Sequence, residues 1–418
     1  MFGQNTKATD LACEFLPPAG GPYKTDNLNH MKRRFTVLVV LIGLGFISNQ
    51  VFSQATNSST GANTILTGVP FLTIAPDSRA GAMGDAGVAS SPDMNSQHWN
   101  PAKYAFVESE MGIGLSYTPW LRNLVDDINL AYLVGYKRLD ELQTVSASLR
   151  YFSLGDISFM SEFGDFQGQQ SPNEFAFDVA YTRLLSDYFS GSVAMRYIRS
   201  DLTGGQLVNG VPSTAGQSFA ADIAFFYQNE MRVNRKESTF SAGINIQNIG
   251  SKISYTDGET KDFIPTNLKL GVGYETEMDR YNTIGFYFDI NKLLVPTPNS
   301  DSVDIVGGGF SDDKSVISGM FSSFGDAPGG MKEELQEITL SFGAEYWYNR
   351  QFALRAGYFH EHENKGNRKF ITAGAGLKLN VFALDFSYLI PTQRNHPLEN
   401  TLRFSLSFDF ESFSNQRR

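Results

Sequence analysis

The chain has 418 residues, a net charge of −10, 13% aromatic residues and 39 glycines, and its single cysteine is Cys13. The negative balance excludes a partner held through nucleic-acid phosphates. A mean hydropathy of −0.22 excludes a bundle of apolar helices. Aromatic- and Gly-rich sequence at that hydropathy is what strands with one polar face produce.

Lys32-Arg33-Arg34 precede an apolar run from Phe35 to Ile47, followed by the polar stretch 48–54. A basic start, a short apolar run and small or polar residues after it form a secretory signal. The run is too short to cross a bilayer stably. Met31 stands where a natural start would be. Residues 1–30 are therefore read as an upstream extension, 31–54 as the signal peptide, and 55–68 as a flexible mature N-terminus. Cleavage near Gln54 would remove Cys13. That leaves no thiol for a nucleophile, a metal site or a disulfide. Leu11-Ala12-Cys13 has no apolar run before it and is not read as a lipoprotein signal.

Residues 69–109 form the next unit. Phe71–Phe106 is rich in Gly, Ala, Ser and Asp, lacks a periodic apolar face, and carries Asn100, Pro101 and Ala102 near its end. Small side chains fit where space is tight, so this unit is assigned to the inside of a barrel as a plug or hatch.

From Glu110 the pattern has period two. In the last segment Leu402, Phe404, Leu406, Phe408 and Phe410 share one face, and Arg403, Ser405, Ser407, Asp409 and Glu411 the other. Fourteen such segments lie between residues 110 and 411, most about ten residues long, as a tilted membrane strand requires. The predicted fold is all-β: a 14-stranded antiparallel transmembrane β-barrel with an N-terminal plug and a periplasmic tail, 412–418. Connections at 139–142, 184–187, 277–279, 348–350 and 380 are short, and 229–237 is intermediate. Those at 154–172, 200–216, 249–265 and 292–335 are long. Short periplasmic turns and long extracellular loops alternate in this way. With an even strand count, both chain ends are expected on the periplasmic side.

Arg150, Asp178, Arg196, Asp222, Lys269, Glu275, Asp289, Glu345, Arg355, Lys378, Asp385, Arg403 and Asp409 fall on the inferred inner face. Toward lipid a midplane Arg or Lys costs about 2–4 kcal/mol. Girdle positions are assigned to Tyr117, Trp120, Tyr132, Tyr136, Tyr151, Tyr181, Tyr197, Tyr274, Tyr346, Trp347 and Tyr358, since Tyr and Trp favour the headgroup level. The turn Tyr117, Pro119, Trp120 and Leu121 is the candidate partner-binding rim, because an exposed aromatic turn offers anchor area.

No motif carries chemistry. GxSxG, HExxH and the P-loop are absent. His360-Glu361-His362-Glu363 is read as a solvated strand end rather than a metal site. Asp77, Ser78 and His98 could make a hydrolytic group only if folding brought them together. Gly374-Ala375-Gly376 lies mid-strand and cradles no phosphate. Lys332–Gln336 reads as a helical turn. Asp301, Asp304, Asp312 and Asp313 make the longest loop acidic; they are read as solvated, with calcium bridging to lipopolysaccharide phosphates as the alternative. No catalytic residue, cofactor or metal is assigned.

The stretch GVPFLTIAPDSRAGAMGDAGVAS, followed by NSQHWNPAKYAF, YTPWLRNLVDDINLAYL and SASLRYFSLGDI, closely resembles the PorV (LptO) family of the type IX secretion system. That family sits within a wider group similar to FadL-type barrels. The resemblance runs from about Gly68 to the last strand. It implies a carrier that takes cargo by its C-terminal signal domain as it leaves an SprA-type translocon barrel. The carrier then passes the cargo to a PorU-type sortase, in contact with outer-membrane lipid and lipopolysaccharide. The alternatives are a FadL-like transporter of hydrophobic small molecules and an O-antigen deacylase.

Overall fold

The computed structural model describes residues 63–410 except 123–124, 126, 161–165, 205–206, 209–210, 257–260, 299–313 and 394–395. The signal peptide, the acidic positions Asp301–Asp313 and the tail 412–418 lie outside the described residues.

Fourteen strands close into one antiparallel barrel. They are β1 (Met111–Pro119), β2 (Asn129–Arg138), β3 (Gln143–Ser153), β4 (Asn173–Ser186), β5 (Phe189–Asp201), β6 (Gly216–Val233) and β7 (Lys236–Gly250). The second half comprises β8 (Asn267–Glu277), β9 (Asn282–Leu293), β10 (Thr339–Tyr348), β11 (Phe352–His360), β12 (Lys369–Lys378), β13 (Phe382–Pro391) and β14 (Leu402–Asp409). Each pairs with its sequence neighbour, and the β1–β14 seam closes from Gly112↔Asp409 to Tyr117↔Phe404. Closure leaves no edge to hydrogen-bond with lipid. Among the described residues no helix is long and apolar enough to cross a membrane; the strands are the spans.

All fourteen sequence segments become strands. The intermediate connection 229–237 disappears, because β6 and β7 extend to Val233 and Lys236. They turn through Asn234 and Arg235, both with positive φ (51° and 67°). Two left-handed central residues match the twist of the flanking strands. Lys332–Gln336 becomes part of a short helix, Met331–Gln336.

Alternation sorts the faces. Along β1 every second residue is buried. Outward positions are large and apolar, among them Leu115, Val193, Met195, Phe342 and Leu354, with Met195 72% exposed. Of the thirteen inner-face charges, Arg150, Asp178, Arg196, Asp222, Lys269, Asp289, Glu345, Arg355 and Arg403 are buried. Glu275, Lys378, Asp385 and Asp409 line a cavity at the short-turn mouth.

The girdle assignment needs correction. Tyr132 and Tyr136 are buried and point inward with Leu130 and Val134. Trp347 lines the short-turn cavity, with the Arg355 guanidinium 5.3 Å from its ring centre. These rings are inside because the plug gives the lumen an apolar surface to pack on. Tyr104 of the plug meets Tyr136 at 5.0 Å between ring centres.

The plug runs the length of the lumen. Val69, Phe71 and Leu72 pack among Leu130, Phe152, Ile198, Ile253 and Ile264, at or beside the strand ends that meet long loops. Tyr104 and Val107 pack with Tyr136, and the Thr144 hydroxyl donates to Tyr104 O at 3.3 Å, both near short turns. Asn63 therefore lies among the long loops, where its N–H donates to Asn364 O at 2.9 Å. The end of β14 lies at the opposite mouth, with Phe410 N donating to Met111 O at 3.2 Å. The two ends of the described chain thus stand at opposite mouths; the termini themselves, expected on a shared side, lie outside the described residues. An even strand count returns the chain to the start of β1, and the plug separates that point from Asn63.

Met195 stands at the middle of β5, facing outward. Met195→Arg is expected to lower stability in phospholipid vesicles by about 2–4 kcal/mol, read from urea-dependent unfolding. Unchanged stability in lipid would mean that this face does not meet hydrocarbon.

Candidate functional site

The plug contains two single-turn helices, α1 (Ser78–Gly81) and α2 (Ser96–Trp99), and two 3-10 turns, at Pro70–Thr73 and Pro101–Phe106. Asp77 caps α1 by accepting from Ala80 N at 2.9 Å, and its other oxygen accepts from Trp99 Nε1 at 2.7 Å. Asn100 ends α2 and caps the second 3-10 turn, with Oδ1 accepting from Ala102 N. Asn is a preferred cap and Pro a preferred first residue, since Pro has no N–H to leave unpaired.

The Asn-Pro-Ala tripeptide is a junction between plug and wall. Asn100 Nδ2 donates to Phe225 O on β6 at 3.0 Å and to Val88 O at 3.3 Å. Pro101 O accepts from Thr182 Oγ1 at 2.9 Å, and Ala102 O from Ser190 Oγ at 2.7 Å. Ala102 is buried against Ala89, Ala224 and Phe226. A larger side chain there would have to displace the Phe226 ring or the wall.

Charge pairing supplies the rest of the attachment. Glu345 on β10 accepts from Arg79 of the plug (2.9 and 2.7 Å) and from Arg355 of β11 (2.7 Å). Arg79 also reaches Asp93 at 3.0 Å, and Arg355 reaches Asp385 at 2.6 Å. Farther round, Arg196 bridges Asp178 and Asp222 at 2.6 and 2.9 Å. Asp289 accepts from the N–H groups of Gly87 and Val88 at 2.7 and 2.9 Å. Lys103 donates to Gly87 O and Ser90 Oγ, both at 2.9 Å.

Sequence reasoning missed a glycine track on the wall. A Cβ on Gly357 would sit 2.1 Å from Gly84 N, one on Gly374 2.4 Å from Ala82 Cβ, and one on Gly343 2.6 Å from Met83 Cβ. The mid-strand Gly374 is therefore a packing notch. The available signal was glycine recurring on the inner face of neighbouring strands.

Asp77, Ser78 and His98 do not form a hydrolytic group. Both Asp77 oxygens are engaged as described. Ser78 lies against Ser405, accepting from its Oγ at 3.2 Å, and His98 Nδ1 contacts Arg150. At the other motif, Glu361 pairs with Arg368 at 2.7 Å and His362 accepts from Asn364 N at 3.2 Å. The two histidines thus serve separate local contacts.

The rim turn differs from its expected form. Tyr117 is exposed (47%) and outward. Trp120 and Leu121 are half-buried, packed against Phe359, Phe370, Leu389 and Leu398, and Trp120 also joins the Phe71 cluster. Leu121 takes a left-handed backbone (φ 51°), unusual for a bulky residue. The apolar turn folds over the mouth instead of standing free. At the opposite mouth, Arg79, Asp93, Glu275, Arg355 and Asp385 line part of a cavity of about 710 Å³.

A plugged barrel with an apolar outer wall and a charged interior is an outer-membrane β-barrel protein. The family described as "Type IX secretion system protein PorV" matches residues 57–300, more than half of the chain. The chain belongs to the PorV family and is a type IX secretion system protein of the outer membrane. No curated protein matches. The barrel is similar to the Pseudomonas putida toluene transporter TodX (10% identity, TM-score 0.46, covering 84% of this chain and 99% of that one). It is also similar to a Pseudomonas aeruginosa FadL homologue (10% identity, TM-score 0.37, 81% and 99%).

Glu345→Gln would leave Arg79 and Arg355 without a shared counter-charge. A stability loss of about 3–5 kcal/mol is expected, together with faster proteolysis of the plug. Wild-type protease resistance would show that Glu345 does not hold the plug.

Proposed function

We propose that this protein is the shuttle of a type IX secretion system. It binds the C-terminal signal domain of cargo leaving an SprA-type translocon and passes it to a PorU-type sortase for signal removal and surface attachment. In this reading the signal at 31–54 exports the chain, the short turns face the periplasm, and the long loops face outward and receive the cargo. Contact with the translocon uses the barrel wall and the rim around Tyr117.

One observation carries this choice over a transporter. The lumen is occupied: Ala75, Ala82, Met83, Ala86, Val88, Asn100 and Tyr104 of the plug are all buried, and ionic side chains fill the space between plug and wall. A path for a hydrophobic small molecule needs an apolar pocket. A barrel filled in this way works through its surfaces. The O-antigen deacylase reading has no support from Asp77, Ser78 and His98, each of which is engaged with another partner.

A strain lacking the protein is expected to retain signal-bearing cargo in its periplasm while taking up long-chain fatty acids normally. Affinity purification should recover a very large barrel and cargo that still carries its signal domain. Normal secretion in that strain would end the shuttle reading, and impaired fatty-acid uptake alone would favour the transporter.

A further inference from the structure

We infer that the chain enters its own barrel from the long-loop mouth, so that Asn63–Thr67 stands on the same face of the membrane as the long loops and the end of β14 stands on the other. Fourteen strands alone would bring the chain back to its starting side. The plug adds one further passage, through the lumen, and makes the total odd.

The direction of that passage rests on contacts at both ends. At the long-loop mouth, Asn63 Nδ2 donates to Pro298 O at 3.2 Å and to Glu333 Oε1 at 2.9 Å. Gly68 N donates to Phe263 O at 2.9 Å. A Cβ on Gly68 would lie 2.5 Å from Ile253 Cγ2, so glycine lets the chain pass between the loops and the mouth. Arg150 then holds Leu72 O at 2.7 Å and Phe71 O at 3.3 Å. At the short-turn mouth, Arg138 Nη1 donates to Val107 O at 3.1 Å and Arg138 N to Glu110 O at 2.7 Å. The segment 63–72 thereby ties two long loops, at Phe263 and at Pro298 and Glu333, and the shorter connection at Asn364 to the plug.

Which face is the outer one rests on the orientation proposed above, and the test separates the two. In a Cys13→Ser background, single cysteines are placed at exposed positions. Thr64→Cys reports the entering segment, with Leu66→Cys as a second reporter. Lys332→Cys reports a long loop and Glu141→Cys a short turn. Cells are treated with a membrane-impermeant maleimide, intact or after outer-membrane permeabilisation. The expected result is labelling of Thr64→Cys and Lys332→Cys in intact cells, with Glu141→Cys labelled only after permeabilisation. If Thr64→Cys and Leu66→Cys follow Glu141→Cys instead, the inference is overturned. If they and Lys332→Cys together require permeabilisation while Glu141→Cys does not, the direction of entry is upheld and the proposed orientation fails.

Discussion

The structure depends on one constraint: a plug with almost no regular secondary structure must have its backbone polar groups satisfied by the wall around it. A buried N–H or C=O without a partner costs about as much as a lost hydrogen bond. Two single-turn helices and two 3-10 turns satisfy few of these groups. The wall satisfies many of the others. Thr182, Ser190, Ser241 and Thr372 donate hydroxyls to plug carbonyls at Pro101, Ala102, Ala89 and Ala82. Asn245 donates its amide to Trp99 O at 2.9 Å. The small polar residues that alternate with lipid-facing side chains are therefore attachment points.

The ion pairs have a different role from these hydroxyls. Burying two charges costs about as much as their attraction returns, so a buried pair is weak evidence for stability. Removing one partner is what costs heavily. Glu345 is shared between a plug arginine and a wall arginine, so moving the plug away breaks the Arg79–Glu345 pair and leaves Arg79 with Asp93 alone. This penalises every other pose of the plug, whether or not it deepens the native one. The glycine track acts in the same sense, since Gly343, Gly357 and Gly374 make room for Ala82–Gly84 in one place.

The strands were legible because lipid imposes one strict rule along every span. A side chain is apolar outside or free to be anything inside, and the pleat alternates the two. Period two therefore located all fourteen strands and the buried charges. It could not say which face an aromatic residue takes when the interior is also partly apolar. Tyr132 and Tyr136 look like girdle residues until Tyr104 is found beneath them. The plug's partners were not legible, because Asn100 to Phe225 and Arg79 to Glu345 join residues 125 and 266 apart in sequence. The side on which Asn63 lies was not legible either, since strand parity says nothing of a segment that crosses without being a strand. The half-burial of Trp120 and Leu121 was not legible, because Phe359, Phe370, Leu389 and Leu398 reach them from strands far along the chain and the loop beyond them.

The position of the plug also bears on what the barrel can do. A plug held at the short-turn mouth alone could leave through that mouth and open a path. This one is fixed at both mouths and along its length. Val69, Phe71 and Leu72 are wedged among the strand ends at one mouth, and Tyr104 and Val107 at the other. Withdrawing it would draw the segment at Asn63 through the lumen and leave Glu345 without Arg79 and Asp289 without the Gly87 and Val88 N–H groups. Binding at the long loops need not open the lumen in order to act. A barrel built this way is a rigid body in the membrane, with loops on one face and a blunt mouth on the other. That suits a protein that holds a partner at its surface and moves with it.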